Sequence, residues 1–414
     1  MNTHRMELLA PAGDLEKLET VYTYGADAAY IGLSGFSLRR RADDVEPATV
    51  ANELRAIKGT RRLYGALNIY FHNSDLRRLE QTVDSIAKLP LDALIVSDIG
   101  VVPIIRRYLP DLELHLSTQA NCLNTEAARI YQDLGFSRII PAREMSLDAL
   151  AELKATLPDL EVETFVHGAM CLAYSGRCLL SAWQAGRSGN KGACAHSCRW
   201  KYRYAIEEAQ RPGEYLPVEE GDGFTTILSP KDLCMIDHLQ ALADAGIDAV
   251  KIEGRVKSAY YAAIVTRAYR KEIDRIARDE PRESVQSYID ELYNVSHREF
   301  STGFYFGDPN ELVSTQKSYQ QAYRFVGRLG REHAPGRFEL DVKNAFSIDD
   351  EIEYIGPDLP RSVDRSFTLL DRDGNHVHRL SHQAGGMIEP GVAVQPGFLI
   401  RQRSSQRAEH GDAS

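Results

Sequence analysis

The chain has 414 residues and a net charge of −10 at pH 7, with 43% hydrophobic and 26% charged residues. These fractions are close to those of folded globular proteins, and they exclude a disordered, collagen-like or long coiled-coil chain. The N-terminal segment lacks the apolar core of a signal peptide, and no later stretch approaches the ~20 apolar residues of a membrane span. We therefore expect a soluble cytoplasmic protein of two or three domains, without membrane association.

The first 255 residues repeat a short apolar run, a turn and a segment with helical periodicity. The nine candidate strands are Glu7–Ala10, Ala28–Leu33, Leu63–Tyr70, Ala93–Ser97, Glu113–Gln119, Arg138–Ala142, Val162–His167, Thr225–Leu228 and Ala249–Glu253. The helical segments between them include Asp14–Tyr24, Leu76–Lys88, Thr125–Leu134, Ser146–Thr156 and Asp232–Ala245. This alternation predicts a parallel sheet with helical crossovers, and the short turns that lead into the strands favour a (β/α)8 barrel. Because nine strands are one too many, we expect Thr225–Leu228 to belong to an insertion.

Two further regions depart from this repeat. Residues 171–224 contain many glycines and cysteines and are longer than a usual strand-to-helix loop, which predicts a functional insertion. Beyond Arg255, a helix is predicted over Ser258–Arg278 and another up to Tyr293. Short alternating strands then predict a small β-barrel domain, with candidates at Arg324–Gly327, Arg337–Val342, Glu351–Ile355 and Phe367–Leu370. We divide the chain into a barrel domain (1–320), a C-terminal β domain (321–402) and a disordered tail (403–414).

Four of the six cysteines lie close together in the sequence. Cys171, Cys178, Cys194 and Cys198 follow the pattern C-x6-C-x15-C-x3-C, and Cys234 lies on the next predicted helix. In a reducing compartment such a group is typical of metal binding, because four thiolates ligate either zinc or an iron-sulfur cluster. The paired C-x2-C knuckles of structural zinc are absent, which favours iron-sulfur; buried thiols that merely pack are the alternative. Cys122 stands apart and is interpreted as a core residue.

Several motifs resemble those of the collagenase-like peptidase family U32. They are ETFVHGAMCLAYSGRCLLS (163–181), GACAHSCRWKYR (192–203), KDLCMIDHL (231–239) and VKIEGRVKSAYY (250–261). The resemblance extends from about Met6 to Gln402. More narrowly, EEAQRPGEY (207–215) resembles the branch of tRNA hydroxylation proteins, which form 5-hydroxyuridine at the wobble position of tRNA. The resemblance therefore implies an oxygen-independent tRNA hydroxylase, with tRNA as its partner, in a family whose peptidase label is old.

The same resemblance implies a cofactor. Relatives carry a [4Fe-4S] cluster, and the motifs match three ligands at Cys171, Cys178 and Cys194. For the fourth ligand we favour Cys198, which lies one turn from Cys194, and keep Cys234 as the alternative, since it needs a separate helix to come close. Some relatives require prephenate for hydroxylation, so prephenate is a candidate cosubstrate here. An electron donor is a further candidate partner.

Polar residues follow the predicted barrel strands. Because every second side chain of a strand shares a face, three sets should each point together: His115, Ser117 and Gln119; Glu163, Phe165 and His167; and Lys251, Glu253 and Arg255. The carboxyl ends of barrel strands form the active site, and burying so many polar groups in the core would be costly. We therefore predict His167, Lys251, Glu253 and Arg255 as catalytic, and His115, Gln119 and Arg143 as substrate-binding. Each residue taken singly is equally explained by a structural ion pair or hydrogen bond.

The cysteine-containing loop is also basic and aromatic. Arg199, Lys201 and Arg203 alternate with Trp200, Tyr202 and Tyr204, and no acidic residue lies between Ala185 and Ile206. This combination suits phosphate contacts and base stacking with a looped or flipped nucleotide, although a solvated charged loop is the alternative. Arg39, Arg40 and Arg41 form a second basic patch that suits RNA or an anionic cosubstrate. The net charge of −10 argues against broad nonspecific binding of nucleic acid.

Two other functions are alternatives to hydroxylation. A collagenase-like cysteine peptidase would pair Cys178 with His167, but the HExxH and GxSxG motifs of other peptidase classes are absent. An RNA-binding scaffold with a structural metal would leave the polar barrel pocket without a role. The sequence leaves the oligomeric state open.

Overall fold

The computed structural model describes residues 5–37, 47–170, 181, 185–187, 193–197, 205–207, 215–217, 230–307, 321–382 and 385–404. These ranges contain the barrel, a second β domain and five short pieces of the segment between residues 171 and 224. All statements on structure below refer to them. The predicted strand Thr225–Leu228 and the tail beyond Ser404 lie outside the described residues.

Eight parallel strands form a closed barrel, which confirms the predicted fold class. They are β1 (Glu7–Pro11), β2 (Ala28–Gly32), β3 (Arg62–Leu67), β4 (Ala93–Val96), β5 (Glu113–Leu116), β6 (Arg138–Ile139), β7 (Glu161–Ala169) and β11 (Ala249–Ile252). Each strand pairs in parallel with the next, and β11 closes the ring by pairing with both β7 and β1. The strands are short apolar runs with nearly every residue buried, as a sheet covered on both faces requires.

Helices connect the strands and cover the barrel. They are α1 (Leu15–Thr23), α2 (Pro47–Lys58), α3 (Asn73–Ile86), α4 (Val102–Tyr108), α5 (Thr125–Asp133), α6 (Leu147–Thr156), α7 (Leu239–Asp244) and α8 (Ala259–Arg278). The side chains of Asp14, Asn124, Ser146 and Ser258 cap the N-termini of α1, α5, α6 and α8 by accepting backbone N–H groups. After α8 come the short helix α9 (Gln286–Ile289) and flanking 3-10 turns. No described helix is long and apolar enough to cross a bilayer.

The helix predicted over Asp232–Ala245 begins later than expected. Residues Asp232–Cys234 form strand β10, which pairs antiparallel with the end of β7 and parallel with β12 (Phe300–Ser301). The Asp232 carboxylate accepts three hydrogen bonds from Arg298, at 2.6, 2.9 and 3.0 Å. This buried pair fixes residues 232–234 in an extended conformation against β7, so helical structure starts only at Ile236.

The C-terminal domain is an antiparallel half-barrel. Its main sheet contains β13 (Tyr323–Ala334), β14 (Arg337–Val342), β16 (Ile352–Ile355), β17 (Ser362–Asp364), β18 (Thr368–Leu370), β20 (Gly386–Glu389) and β21 (Leu399–Arg403). A two-stranded sheet pairs β15 (Phe346–Ser347) with β19 (Arg379–Leu380). Outside this domain, in the segment between β7 and β10, β8 (Ala205–Glu207) pairs with β9 (Tyr215–Pro217). The domain has its own apolar core, which includes Val326, Leu340, Tyr354 and Ile400.

Buried charges join the C-terminal domain to the barrel. Arg401 on β21 is fully buried, and its guanidinium binds the carboxylates of Glu291 and Glu353 and the hydroxyl of Tyr260 on α8. Arg267, also on α8, donates to the Gly356 carbonyl at 2.7 Å. Since these contacts are directional and the two arginines are buried, the two domains are held in one relative orientation.

Candidate active site at the barrel mouth

The carboxyl ends of the strands form the mouth of the barrel, and an ion pair spans it. Arg143 follows β6 and Glu253 follows β11; their nearest N and O atoms are 3.8 Å apart, and the side chains are 13% and 12% exposed. The Arg143 guanidinium lies 4.1 Å from the ring centre of Phe165 on β7 and donates to the Ala169 carbonyl at 3.3 Å. The pair therefore bridges three strands and remains within reach of solvent, where barrel enzymes bind their substrates.

Tyr30 on β2 connects the mouth to the interior of the barrel. Its hydroxyl donates to the Ile252 carbonyl at 3.0 Å. The ring centre lies 5.8 Å from the guanidinium carbon of Arg255 and 4.5 Å from Nζ of Lys251. A cation within ~6 Å of an aromatic face is attracted to its negative charge density. Tyr30 thus positions the loop residue Arg255 beside the mouth while it also contacts a cation of the strand below.

Within the barrel lies a buried ion network. Glu163 is fully buried and lies 2.8 Å from Nζ of Lys251 and 3.0 Å from Nη1 of Arg138. Arg138 also contacts Glu7 at 2.7 Å, and Tyr64 donates to Glu7 at 2.9 Å. Because β1, β3 and β6 are not neighbours, these contacts cross the interior. Burial alone would raise the pKa of Glu163, but the two adjacent cations outweigh burial and hold that pKa below its usual value.

Two residues predicted at the mouth belong to this interior layer. Lys251 is the third residue of β11 and lies against Glu163, while His115 is the third residue of β5 and packs edge-on against Tyr64 with ring centres 4.7 Å apart. His115 is 1% exposed, with Nε2 3.5 Å from the Glu113 carboxylate. Burial lowers the pKa of both Lys251 and His115. The prediction placed both at strand ends, whereas the structure places them inside the strands.

The alternation predicted for His115, Ser117 and Gln119 stops early. Strand β5 ends at Leu116, and Ser117 caps a 3-10 turn over Thr118–Ala120 by accepting the Gln119 N–H. Gln119 therefore lies in a turn at the mouth, where its carbonyl accepts from Tyr70 at 3.4 Å. The common face of the three residues was wrongly predicted, because period-two alternation holds only within a strand.

His167 also leaves the predicted face, because β7 contains a bulge. Phe165 pairs with Lys251, but His167 rather than Val166 pairs with Ile252. One extra residue reverses the alternation, so His167 points out of the barrel towards α8. There its Nδ1 lies 3.3 Å from the Tyr269 hydroxyl, and its ring lies 5.4 Å from that of Phe300. Burial lowers the pKa of His167 to about 3, so the imidazole is neutral at pH 7.

Comparison with known proteins assigns the family. Residues 13–315 match peptidase family U32, and residues 321–401 match the peptidase family U32 C-terminal domain. The chain belongs to peptidase family U32. This confirms the resemblance seen in the sequence motifs, and both structural domains of the chain are covered by it.

Several curated relatives of this U32 chain have names that refer to RNA, and three of them illustrate the range. It is 34% identical over 394 residues to tRNA hydroxylation protein P of Escherichia coli (strain K12), which covers 85% of this chain and 86% of the relative. It is 42% identical over 324 residues to tRNA hydroxylation protein P of Helicobacter pylori, with coverage of 76% and 74%. The third relative is the 23S rRNA 5-hydroxycytidine C2501 synthase of Escherichia coli (strain K12), 35% identical over 284 residues, with coverage of 67% and 41%.

The cysteines of the U32 motifs are described in part. Cys171, Cys178 and Cys198 lie outside the described residues. Cys194 is half-buried, and its sulfur accepts the N–H of His196 at 3.4 Å. Cys234 ends β10, where its sulfur lies 3.9 Å from the Tyr269 hydroxyl, and burial raises its pKa to about 11. No three metal-ligating side chains of the described part of the chain come together, so the ligand set stays a prediction.

The predicted basic regions also lie outside the described residues. These are Arg199, Lys201 and Arg203 in the cysteine-containing loop, and the triplet Arg39, Arg40 and Arg41. Cys122, by contrast, is described and is buried in the barrel core, as expected of a packing residue.

Sequence reasoning missed two buried arginines that shape the site. Arg138 begins a short apolar strand opposite acidic residues, and a charge at such a position could have signalled the interior network. Arg298 lies 66 residues from its partner Asp232, and no pattern in the sequence connects them. Its guanidinium also donates to the Met170 carbonyl at 3.4 Å. The Asp232–Arg298 pair thus fixes the backbone immediately before Cys171.

Proposed function

We propose that the chain is an RNA-modifying enzyme that hydroxylates C5 of the wobble uridine of tRNA, with a [4Fe-4S] cluster as its resident cofactor. The observation that carries this proposal is the Arg143–Glu253 pair at the barrel mouth, partly exposed and held against Phe165 of β7. Strand β7 leads within two residues to Cys171, a predicted cluster ligand. Charged groups, an aromatic face and a predicted redox centre would therefore share one end of the barrel.

The mouth residues suit an anionic or carbonyl-bearing substrate. Arg143 presents a partly exposed guanidinium group, and Arg255 adds a buried one beside Tyr30; guanidinium groups bind carboxylates and phosphates through paired hydrogen bonds. A dicarboxylate such as prephenate, or the carbonyl oxygens of a uracil ring, fits this chemistry. Glu253 is the carboxylate at the mouth that could accept a hydrogen bond or a proton from the substrate. The names of the three relatives support RNA as the substrate class.

The proposed cluster would be held by Cys171, Cys178, Cys194 and Cys198, with Cys234 as the alternative fourth ligand. Cys194 fits such a role, because it is half-buried and already accepts a backbone N–H, as cluster sulfurs do in proteins. When bound, the cluster would supply the electron transfer that hydroxylation without O2 needs. Because conversion of C5–H to C5–OH removes two electrons from the uracil ring, the reaction would be balanced either by a cosubstrate that donates the hydroxyl group and is itself reduced, or by water as the oxygen source together with an electron acceptor.

The decisive experiment is a mass spectrum of tRNA nucleosides from a deletion strain. We expect less 5-hydroxyuridine and fewer of its derivatives, restored by the wild-type chain but not by Glu253→Gln. If the tRNA nucleosides are unchanged and ribosomal RNA loses a hydroxylated nucleoside instead, tRNA is the wrong substrate, while RNA hydroxylation remains the proposed reaction.

The cofactor is tested separately. Purified without oxygen, the protein should contain about four irons and four sulfides per chain, and Cys171→Ala or Cys178→Ala should remove both elements. Comparing Cys198→Ala with Cys234→Ala identifies the fourth ligand. About one zinc per chain and no iron would contradict the redox proposal.

The peptidase alternative is not favoured by the described residues. It requires His167 to activate the thiol of Cys178. His167 is 1% exposed, has a pKa of about 3 and contacts Tyr269 outside the barrel. An imidazole that serves as a base for a thiol needs a pKa near the working pH and access to the nucleophile.

A further inference from the structure

The C-terminal domain contains a groove lined by three exposed arginines. The groove has a volume of about 720 Å³, and exposed Arg324, Arg379 and Arg403 line it. None of the three forms an ion pair with a described carboxylate. Elsewhere in this domain Arg331 pairs with Glu339, Arg337 with Glu389 and Arg365 with Glu351, whereas the exposed Arg361 and Arg372 lie outside the groove without a described ion pair. The groove is distinguished by bringing three such arginines together. The groove therefore holds three cations without a described ion-pair partner, although the Tyr323 hydroxyl hydrogen-bonds Arg403 and, with the more distant Glu353 and Glu351, raises the pKa of that guanidinium.

The remaining lining residues do not cancel this charge. Asp350 is the one acidic residue among the described lining residues, and its carboxylate accepts hydrogen bonds from the N–H of Ser347 at 2.7 Å and its hydroxyl at 3.2 Å. Arg324 is held in place by the Ala345 carbonyl at 3.0 Å and the Gln402 side chain at 2.6 Å. In a chain with a net charge of −10, a concave surface with this excess of positive charge suits an anionic ligand.

Contacts along α8 show which end of the molecule the groove occupies. Barrel helices start at the mouth, because each follows the carboxyl end of a strand. Tyr260, in the first turn of α8, contacts Arg401 at 2.9 Å and stacks on Phe325. Further along α8, away from the mouth, Arg267 contacts Gly356. The part of the C-terminal domain around residues 325 and 401 therefore lies at the mouth end.

Contacts along helix α1 independently show that the same part of the C-terminal domain lies at the mouth end of the barrel. Glu16, near its start, lies 2.9 Å from Lys343, whereas Tyr24, at its end, donates to the Ile355 carbonyl at 2.7 Å. Arg324 precedes Phe325 on β13 and pairs with Gln402 of β21. Arg403 lies two residues after Arg401 on β21 and pairs with Tyr323 of β13. The groove consequently lies at the same end of the molecule as Arg143 and Glu253.

We propose that this groove binds the phosphodiester backbone of the RNA substrate at a distance from the nucleotide held in the barrel mouth. This inference rests on the proposed function, since it needs RNA as the substrate. Guanidinium groups bind phosphate oxygens in pairs, and contacts of this type position a nucleic acid without reading its sequence. Because the buried contacts of Arg401 fix the two domains, groove and mouth would bind one RNA molecule as a single rigid surface.

The test is tRNA binding by a groove variant and a charge-matched control. The groove variant changes Arg324, Arg379 and Arg403 to Gln, and the control changes the exposed residues Arg331, Arg361 and Arg372 of the same domain to Gln. Affinity for tRNA from a deletion strain is measured at several salt concentrations. We expect the groove variant to bind tRNA at least about tenfold more weakly than the wild type. The slope of log K against the logarithm of the salt concentration should be about two to three units less steep. The control should behave like the wild type.

The outcomes separate this inference from the proposed function. If the wild type binds tRNA and the groove variant binds it with the same affinity and salt slope as the control, the inference about the groove is wrong. The proposed function would stand. No tRNA binding by the wild type would overturn both. Because Arg324 bonds to neighbouring groups, the double variant Arg379→Gln/Arg403→Gln repeats the test without that residue, and a smaller loss in the same direction is expected. Thermal unfolding of each variant checks that the domain stays folded.

Discussion

The interior ion network predicts a sharp difference between two glutamates that contact the same arginine. Glu163 is fully buried between Lys251 and Arg138, whereas Glu161 lies two residues earlier on β7, 2.7 Å from Arg138, and is 42% exposed. Glu163→Gln would remove the carboxylate that pairs with buried Lys251 and one of the three carboxylates that contact Arg138. Removing one partner of a buried pair costs about 3–5 kcal/mol, while an exposed pair contributes about 0–1 kcal/mol. Glu161→Gln should therefore change the free energy of unfolding much less.

The assay is urea unfolding of the wild type and both variants at neutral and acid pH. Because the folded pKa of Glu163 lies below its usual value of 4.5, its charge stabilises the fold above that pH and the contribution is lost as pH falls through the folded pKa. The free-energy difference between wild type and Glu163→Gln should thus be constant near pH 7 and shrink in acid. Adding Lys251→Met to Glu163→Gln should recover part of the loss, since one unpaired cation is removed.

Equal effects of Glu163→Gln and Glu161→Gln would refute the reasoning, because burial would then not decide the contribution of the charge. A large loss of hydroxylation in Glu163→Gln with unchanged stability would also refute it. That result would mean that the interior layer takes part in the chemistry rather than in folding.

Three further predictions follow from the site and the domain contacts. Glu253→Gln should lower hydroxylation more than ~100-fold with little change in tRNA affinity, because the carboxylate lies at the mouth; equal loss of both would place the active site elsewhere. Arg401→Met should lower the free energy of unfolding by about 3–5 kcal/mol, since it leaves Glu291 and Glu353 buried; the exposed Arg365→Met is its control, and similar values for both would contradict this. Neutralising Arg199, Lys201 and Arg203 should weaken tRNA binding while iron content stays constant, and loss of iron would instead assign them to the cluster fold.

The sequence alone determined the fold class and the family. Alternating apolar runs and amphipathic segments are local patterns, so eight barrel strands and the change to a β domain near residue 321 could be predicted from them. The motifs around Cys171 and Lys251 identified the family for the same reason, since they are contiguous in the chain. Arg143, Glu253 and Arg255 were found because they follow predicted strands.

The tertiary structure decided which polar residues share a surface. A single bulge in β7 moved His167 out of the barrel, and the early end of β5 separated Gln119 from His115. Periodicity does not show how far along a strand a residue lies, and the structure places Lys251 within β11, inside the barrel, rather than at its mouth. The groove of the C-terminal domain likewise depends on residues that are distant in the chain and meet only when β13, β19 and β21 fold together. Side-chain alternation is local, whereas register, strand length and the closure of a barrel depend on contacts across the whole domain.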